Sequence, residues 1–398
     1  MENIEFTKKY YQPLIDALKR SGLKENDDFY FWNYDWRKLV TSTKTDLYYF
    51  IDSKTGKSDK IVVIGHSLGG LVGRFWAQDF NDPRLEKVIS LGSPFLGAVS
   101  AYDAWSLGKV GSDGFDLGSI ALKVLVELKR TRNGSAVKAL RDFAPMVGDL
   151  MPIFDFVKVE NKVVSLMKMA PINFYLYYRV PVPAEIKSKF VTIEGTNFKT
   201  KEWINMGTSN FVGSYVMADG DGTVLPKSSE FGAGRIIKVN SSHMNLVVNS
   251  VNLILQELGY RTIPGLAYSN DNLDKKLIFF IGSPAYLDVK CDNEQSKISD
   301  VDGFVVIDDK NYKDCIVSVI GTGNGAYHLL NGQISKEDSW VYKNAETKQS
   351  KVDKYRVIVQ SGAVLGVVDP KPTVKPSPTK KPTPTPTWNP KRRIYYIM

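Results

Sequence analysis

At 398 residues the chain exceeds the length over which one hydrophobic core keeps growing comfortably, so two folded units with extra segments are expected. Apolar residues at 43% and charged residues at 24% exclude disorder of the whole chain. The formal charge of +9 is concentrated at one end: residues 369–398 hold seven Lys or Arg against one Asp, a surplus of six that leaves +3 elsewhere and no case for a nucleic-acid-binding face.

Met1-Glu2-Asn3-Ile4-Glu5 is acidic and precedes no apolar run of the signal-peptide kind, and no stretch is long and apolar enough for a transmembrane helix. Pro13 to Gly22 reads as an amphipathic helix, with proline in its first turn and Leu14, Ile15 and Leu18 on one face. The aromatic run Phe29 to Trp36 suits a strand. Residues 60–65 and Val88 to Leu91 are short, almost wholly apolar runs of the kind found in parallel strands buried on both faces, and Leu68 to Phe80 between them is helical. Strand, helix, strand in that order implies a right-handed crossover and an α/β fold. From about 100 to 185 helices and loops carrying Met146, Met151, Met167 and Met169 read as a cap inserted in the sheet. Strands return at Phe190 to Glu194 and Arg235 to Val239, and a last helix over Asn245 to Leu258 closes a first domain at about 262.

Beyond a polar connector, short alternating runs at 277–281, 286–289, 304–307, 316–320 and 355–360 predict a β-sandwich-like module over 275–362. Its two cysteines, Cys291 and Cys315, are the only ones in the chain, enough for one bridge and too few for a metal-thiolate cluster. Residues 369–398, with Pro-Thr-Lys repeats, read as an extended spacer or tail. Because the connector is polar, the domain on its N-terminal side is expected to fold without the β module and the tail.

Gly65-His66-Ser67-Leu68-Gly69 directly follows a predicted strand and precedes a predicted helix, the context of a nucleophile elbow. The glycines leave room for a strained turn that lifts Ser67 Oγ above the sheet edge, and the Leu68 N–H at the helix start is placed to be one oxyanion donor. A serine hydroxyl needs a base, and there are three histidines. His66 sits in the elbow itself, His328 lies in the β module, and His243 follows the last strand, so His243 is the candidate base. For the acid, Met217-Ala218-Asp219-Gly220-Asp221-Gly222-Thr223-Val224 offers Asp219 and Asp221, and spacing to His243 does not separate them.

Tyr34-Asp35-Trp36-Arg37, Gly65-His66-Ser67-Leu68-Gly69-Gly70, Leu91-Gly92-Ser93-Pro94-Phe95-Leu96-Gly97, Asp219-Gly220-Asp221-Gly222-Thr223-Val224 and Ser242-His243-Met244-Asn245 occur in this order. Together they resemble the lecithin:cholesterol acyltransferase and lysosomal phospholipase family, over about residues 10–260. The resemblance implies an α/β-hydrolase fold with a cap, acyl transfer from an ester to water or an alcohol, and Asp221 as the acid. Eukaryotic members carry disulfides in the lid and near the acid. No cysteine precedes 291 here, so their lipid-docking elements are not carried over. The family also places a strand and a His-Gly oxyanion loop ahead of its first helix, a point that this chain starts beyond. The expectation is therefore an incomplete reading frame that lacks an export signal, at least one sheet strand and the first oxyanion donor.

The functional expectation is a serine hydrolase or acyltransferase acting on a lipid-like or other carboxylic ester, without metal or nucleotide cofactor. Alternatives are a small-ester or peptide-like hydrolase, or a surface scaffold with little catalysis. The β module resembles accessory β-sandwiches of secreted bacterial hydrolases. With the tail, it points to an extracellular or cell-surface location and contact with the cell surface or wall.

Overall fold

The computed structural model describes residues 5–110, 126, 135–169, 171–179, 182–207, 212–264, 276–282, 284–292, 297–300, 303–334, 339–360, 363–368 and 393–397. The chain forms two compact units, one of residues 10–269 with 389–398, the other of residues 1–9 with 270–388. Among the described residues no helix is long and apolar enough to cross a membrane.

The first unit is built on strands β1 (Phe29–Phe31), β2 (Lys60–His66), β3 (Leu85–Leu91), a short pair β4 (Val157–Val159) and β5 (Lys162–Val164), then β6 (Phe190–Thr196), β7 (Phe198–Met206), β8 (Val212–Gly220) and β9 (Arg235–Asn240). Five of these nine join β19 (Arg393–Ile397) in a six-stranded sheet of order β1-β19-β2-β3-β6-β9. Every neighbouring pair in this sheet is parallel. Helices cover both faces, which explains why β2 is apolar along its length instead of alternating. Ile61 and Val63 pack with Val40, Leu47 and Ile51 of α2 (Val40–Lys54) and with Leu71, Phe75 and Trp76 of α3 (Leu68–Phe80). Val62 and Ile64 face the other way, onto Leu14 and Leu18 of α1 (Glu5–Arg20) and onto Val251, Ile254 and Leu255 of the helix Val251–Glu257. Helix α1 starts at Glu5 rather than at Pro13, so the proline lies inside the helix, where it removes one intrahelical hydrogen bond.

The sheet corrects one expectation: residues 369–398 are not spacer throughout, because Arg393–Ile397 is a strand, while 369–392 and 398 lie outside the described residues. Arg393–Ile397 pairs with Lys60–Ile64 on one side, and Tyr395–Ile397 pairs with Phe29–Phe31 on the other. The segment is rich in β-branched and aromatic residues, as an inner strand should be. Tyr396 is fully buried, stacked on Tyr30 with ring centroids 5.7 Å apart and edge-on to Phe50 at 5.8 Å.

The cap region contains helices Val99–Leu107 and Ala136–Phe143 among its described residues, and it also contributes to a second sheet. That sheet has the order β5-β4-β7-β8, with β7 and β8 forming an antiparallel hairpin. Strand β8 buries only its last residue, so its sequence carries no apolar alternation from which a strand could be read. Of the cap methionines, Met146 and Met151 are buried and Met167 is exposed.

The second unit holds β10 (Lys276–Gly282), β11 (Ala285–Cys291), β12 (Ile298–Ser299), β13 (Phe304–Asp308), β14 (Asp314–Gly321), β15 (Gly325–Ile334), β16 (Ser339–Thr347), β17 (Val352–Gln360) and β18 (Ala363–Val368). Two antiparallel sheets, β13-β10-β15-β16 and β12-β11-β14-β17-β18, share one core that includes Phe279, Leu287, Val317, Tyr327 and Val357. Cys291 and Cys315 stand opposite each other on β11 and β14 and form a disulfide. A bridge closing a loop of sequence separation 24 restricts the unfolded chain, a gain of about 3 kcal/mol. Reduction, or Cys291→Ser with Cys315→Ser, should therefore lower the melting temperature of the β module by several degrees and leave ester turnover unchanged. Calorimetry with and without reductant checks this.

Candidate active site

Ser67 sits between the last residue of β2 and the first turn of α3, with φ 54° and ψ −121°. A non-glycine residue at positive φ is strained and persists only where the surroundings enforce it. Here the Ser67 N–H donates to the Leu91 carbonyl at 2.8 Å, tying the elbow to the end of β3. The turn is possible because a side chain at Gly65 would run into the backbone of Gly69 and Gly70. Leu68 opens α3, so its N–H lies at the positive end of the helix dipole beside Ser67.

His243 follows β9 and is 5% exposed, and its Nε2 lies 2.9 Å from Ser67 Oγ. Its Nδ1 lies 2.7 Å from Asp221 Oδ2. The other carboxylate oxygen, Oδ1, accepts from the N–H groups of Thr223 at 2.8 Å and Val224 at 2.6 Å. These bonds fix the carboxylate plane and aim Oδ2 at the imidazole. Gly92, at φ 56°, leaves the space this requires, since a Cβ there would stand 2.8 Å from Asp221 Oδ2 and 3.1 Å from His243 Nδ1. The structure thus brings Ser67, His243 and Asp221 together. It sends Asp219 elsewhere, to accept from the Asn197 N–H at 2.6 Å. His328 lies in the second unit, 2.5 Å from Asn344 Oδ1 through its Nδ1.

Three residues outside the triad make contacts that spacing in the sequence does not announce. His66 packs against the ring of His243 with centroids 4.9 Å apart. Tyr11 reaches His66 Nδ1 with its hydroxyl at 2.9 Å. Glu194, buried on β6, is paired with Lys238 at 2.9 Å and accepts from Ser229 Oγ at 3.2 Å. The Tyr34-Asp35-Trp36-Arg37 motif makes a local clamp: Arg37 donates to both Asp35 oxygens, at 2.7 and 2.8 Å, and these bonds hold the Asp35 carboxyl below its ordinary range. Among the described residues no group of His, Cys, Asp and Glu could hold a metal ion.

A parallel sheet clothed by helices on both faces, an elbow between strand and helix, and the chain order Ser, Asp, His define an α/β-hydrolase. Residues 2–128 match the family model described as Lecithin:cholesterol acyltransferase, so the resemblance read from the motifs holds over that stretch. The match supports ester hydrolysis or acyl transfer in general terms. A search of curated proteins finds no match. Among solved structures, the chain is similar to the mature lipase BlEst2 of Bacillus licheniformis at 14% identity and a TM-score of 0.28, covering 56% of this chain and 71% of that one. For the propeptide form of the same lipase the identity is 10% and the TM-score 0.28, with 82% of this chain and 84% of that one covered. For an extracellular alpha/beta-hydrolase from a Paenibacillus species the values are 13% and 0.29, with 63% and 91% covered. The fold is read from this chain's own sheet order and elbow.

Proposed function

We propose that the first unit is a serine-dependent carboxylic ester hydrolase or O-acyltransferase working through an acyl-enzyme, with a lipid-like ester as substrate. The observation that carries the reading is the unbroken line from Ser67 Oγ through His243 Nε2 and Nδ1 to Asp221 Oδ2, at 2.9 and 2.7 Å, on a strained elbow. Oγ attacks the ester carbonyl carbon while its proton passes to His243 Nε2, and the carbonyl π pair moves to oxygen. The Leu68 N–H faces the developing oxyanion from the helix terminus. As the carbonyl re-forms, the C–O bond to the leaving alcohol breaks and that alcohol takes the proton from Nε2, leaving acyl-Ser67. Water or a second alcohol, deprotonated by the same nitrogen, then attacks the acyl carbon; the bond to Ser67 Oγ breaks, Oγ takes the proton back from Nε2, and the acid or the new ester leaves. Asp221 holds the Nδ1–H tautomer throughout and stabilises the imidazolium.

The lipid-like substrate rests on the family match, and the extracytoplasmic setting with wall contact rests on the Pro-Thr-Lys composition of the tail. The test is stoichiometric labelling by a fluorophosphonate together with turnover of p-nitrophenyl esters of graded chain length. Labelling at one site per chain and a kcat/KM that rises with acyl length are expected. A preference for acetate or butyrate would replace the lipid-like substrate with a small ester, and a protein that does not label would be a scaffold.

A further inference from the structure

Ser67 is not the only elbow residue that reaches His243. His66, the last residue of β2, is buried, and its Nε2 lies 2.9 Å from the backbone carbonyl oxygen of His243. A carbonyl oxygen can only accept, so Nε2 carries the imidazole proton. Nδ1 is then a bare lone pair, and the Tyr11 hydroxyl on α1, 2.9 Å away, donates to it. One neutral tautomer satisfies both contacts. Burial first, and the neighbouring His243 second, push the His66 imidazole down to about 3, so it stays uncharged beside the base at any pH where an ester hydrolase would work.

Both backbone polar groups of His243 are thereby committed to other parts of the site. Its N–H donates to the Asp221 carbonyl at 2.8 Å, and its carbonyl accepts from His66 at 2.9 Å. The same carbonyl also takes a longer bond, 3.4 Å, from the Leu246 N–H, so the imidazole supplies the shorter of the two. Adjacent elbow residues therefore grip His243 twice: Ser67 Oγ at the ring and His66 Nε2 at the backbone. His243 lies in the segment between β9 and the helix Leu246–Asn249, outside any ladder that would fix its position.

We propose that His66, oriented by Tyr11, is a positioning residue that sets the distance from His243 Nε2 to Ser67 Oγ. The inference rests on the serine-hydrolase reading. His66 hydrogen-bonds the backbone of the base and packs against its ring with centroids 4.9 Å apart, so it acts through His243. A misplacement of about 1 Å at a reacting group costs on the order of 10²-fold in rate.

The test compares His66→Phe, His66→Gln and Tyr11→Phe in the full chain. Phenylalanine keeps a buried ring and removes both nitrogens; glutamine returns an amide N–H near the Nε2 position. With a soluble p-nitrophenyl ester, kcat of His66→Phe should fall on the order of 10²-fold with KM nearly unchanged. The fluorophosphonate labelling rate should fall in parallel. His66→Gln should recover most of both, and Tyr11→Phe should lose several-fold. The downfield proton resonance of His243 Nδ1–H should shift or broaden in His66→Phe and return in His66→Gln. A His66→Phe protein as fast as the parent, or phenylalanine and glutamine variants equally slow, would overturn the proposal. Should His66→Phe not fold, Tyr11→Phe decides: unchanged kcat and an unchanged Nδ1–H resonance would also overturn it. A parent protein that does not label fails the serine-hydrolase reading, and this inference with it. Failure of the inference alone appears as equal labelling rates in parent and variants.

Discussion

Replacing Ser67 by alanine is expected to abolish covalent labelling by a fluorophosphonate and to lower ester turnover on the order of 10⁴–10⁶-fold. Oγ is the atom that forms the acyl bond in the proposed reaction, and its neighbour at 2.9 Å is the nitrogen that must take its proton. Alanine removes a single oxygen from a half-buried position and leaves the elbow backbone in place, so the melting temperature should hold within a few degrees. His243→Ala should match it, because triad members act as a unit and their losses do not add. Asp221→Asn should cost about 10⁴-fold, since an amide cannot hold the Nδ1–H tautomer in the same way. Asp219→Asn should cost only a few-fold, its carboxylate being bonded to the Asn197 N–H instead of the imidazole. Steady-state kinetics on the four variants decide the matter. Equal losses at the two aspartates would mean that the Asp-Gly turn was being measured, and a labelled Ser67→Ala protein would remove the nucleophile from the proposal.

Ending the chain at Trp388 is expected to be as damaging, although it removes nothing near the chemistry in sequence. Strand β19 lies between β1 and β2, so its loss divides the sheet and strips backbone partners from both neighbours. It also removes Tyr396, which stacks on Tyr30 and donates its hydroxyl to the Ile51 carbonyl at 3.4 Å. The shortened chain should lack a cooperative melt for the first unit, aggregate and fail to label, while the β module keeps its own transition. A milder variant separates packing from pairing: Tyr396→Ala should cost about 3–5 kcal/mol, by analogy with other large aromatic truncations in cores, and Tyr396→Phe about 1 kcal/mol. Adding a synthetic peptide of residues 389–398 to the shortened chain should restore part of the labelling. Normal folding and full labelling of the 1–388 chain would show β19 to be dispensable. A cut at about residue 270 would remove the same strand, so the same loss of folding is expected of that shorter chain.

The elbow is legible in the sequence because every part of it is local. An apolar run, two glycines flanking a His-Ser pair and an amphipathic helix occupy consecutive positions, and their spacing alone dictates strand, turn and helix over Lys60–Phe80. His243 emerges by elimination among three histidines. The alternating runs of the β module announce its strands for the same local reason, although which strands share a sheet is not visible in them. Three matters lie beyond spacing and periodicity. Asp219 and Asp221 differ by two positions in one Asp-Gly turn, so that only the family resemblance favours Asp221, and in the structure it is the Asp221 carboxylate that the hairpin end turns toward His243. The role of His66 is hidden because its partners, Tyr11 and the His243 carbonyl, lie 55 and 177 residues away. Strand β19 reads as part of a spacer because its neighbours in the sheet lie near the other end of the chain. Periodicity reports which face of an element is buried, whereas pairing between parallel strands depends on which open ladder edge a segment meets once the rest has folded, and that leaves no local trace.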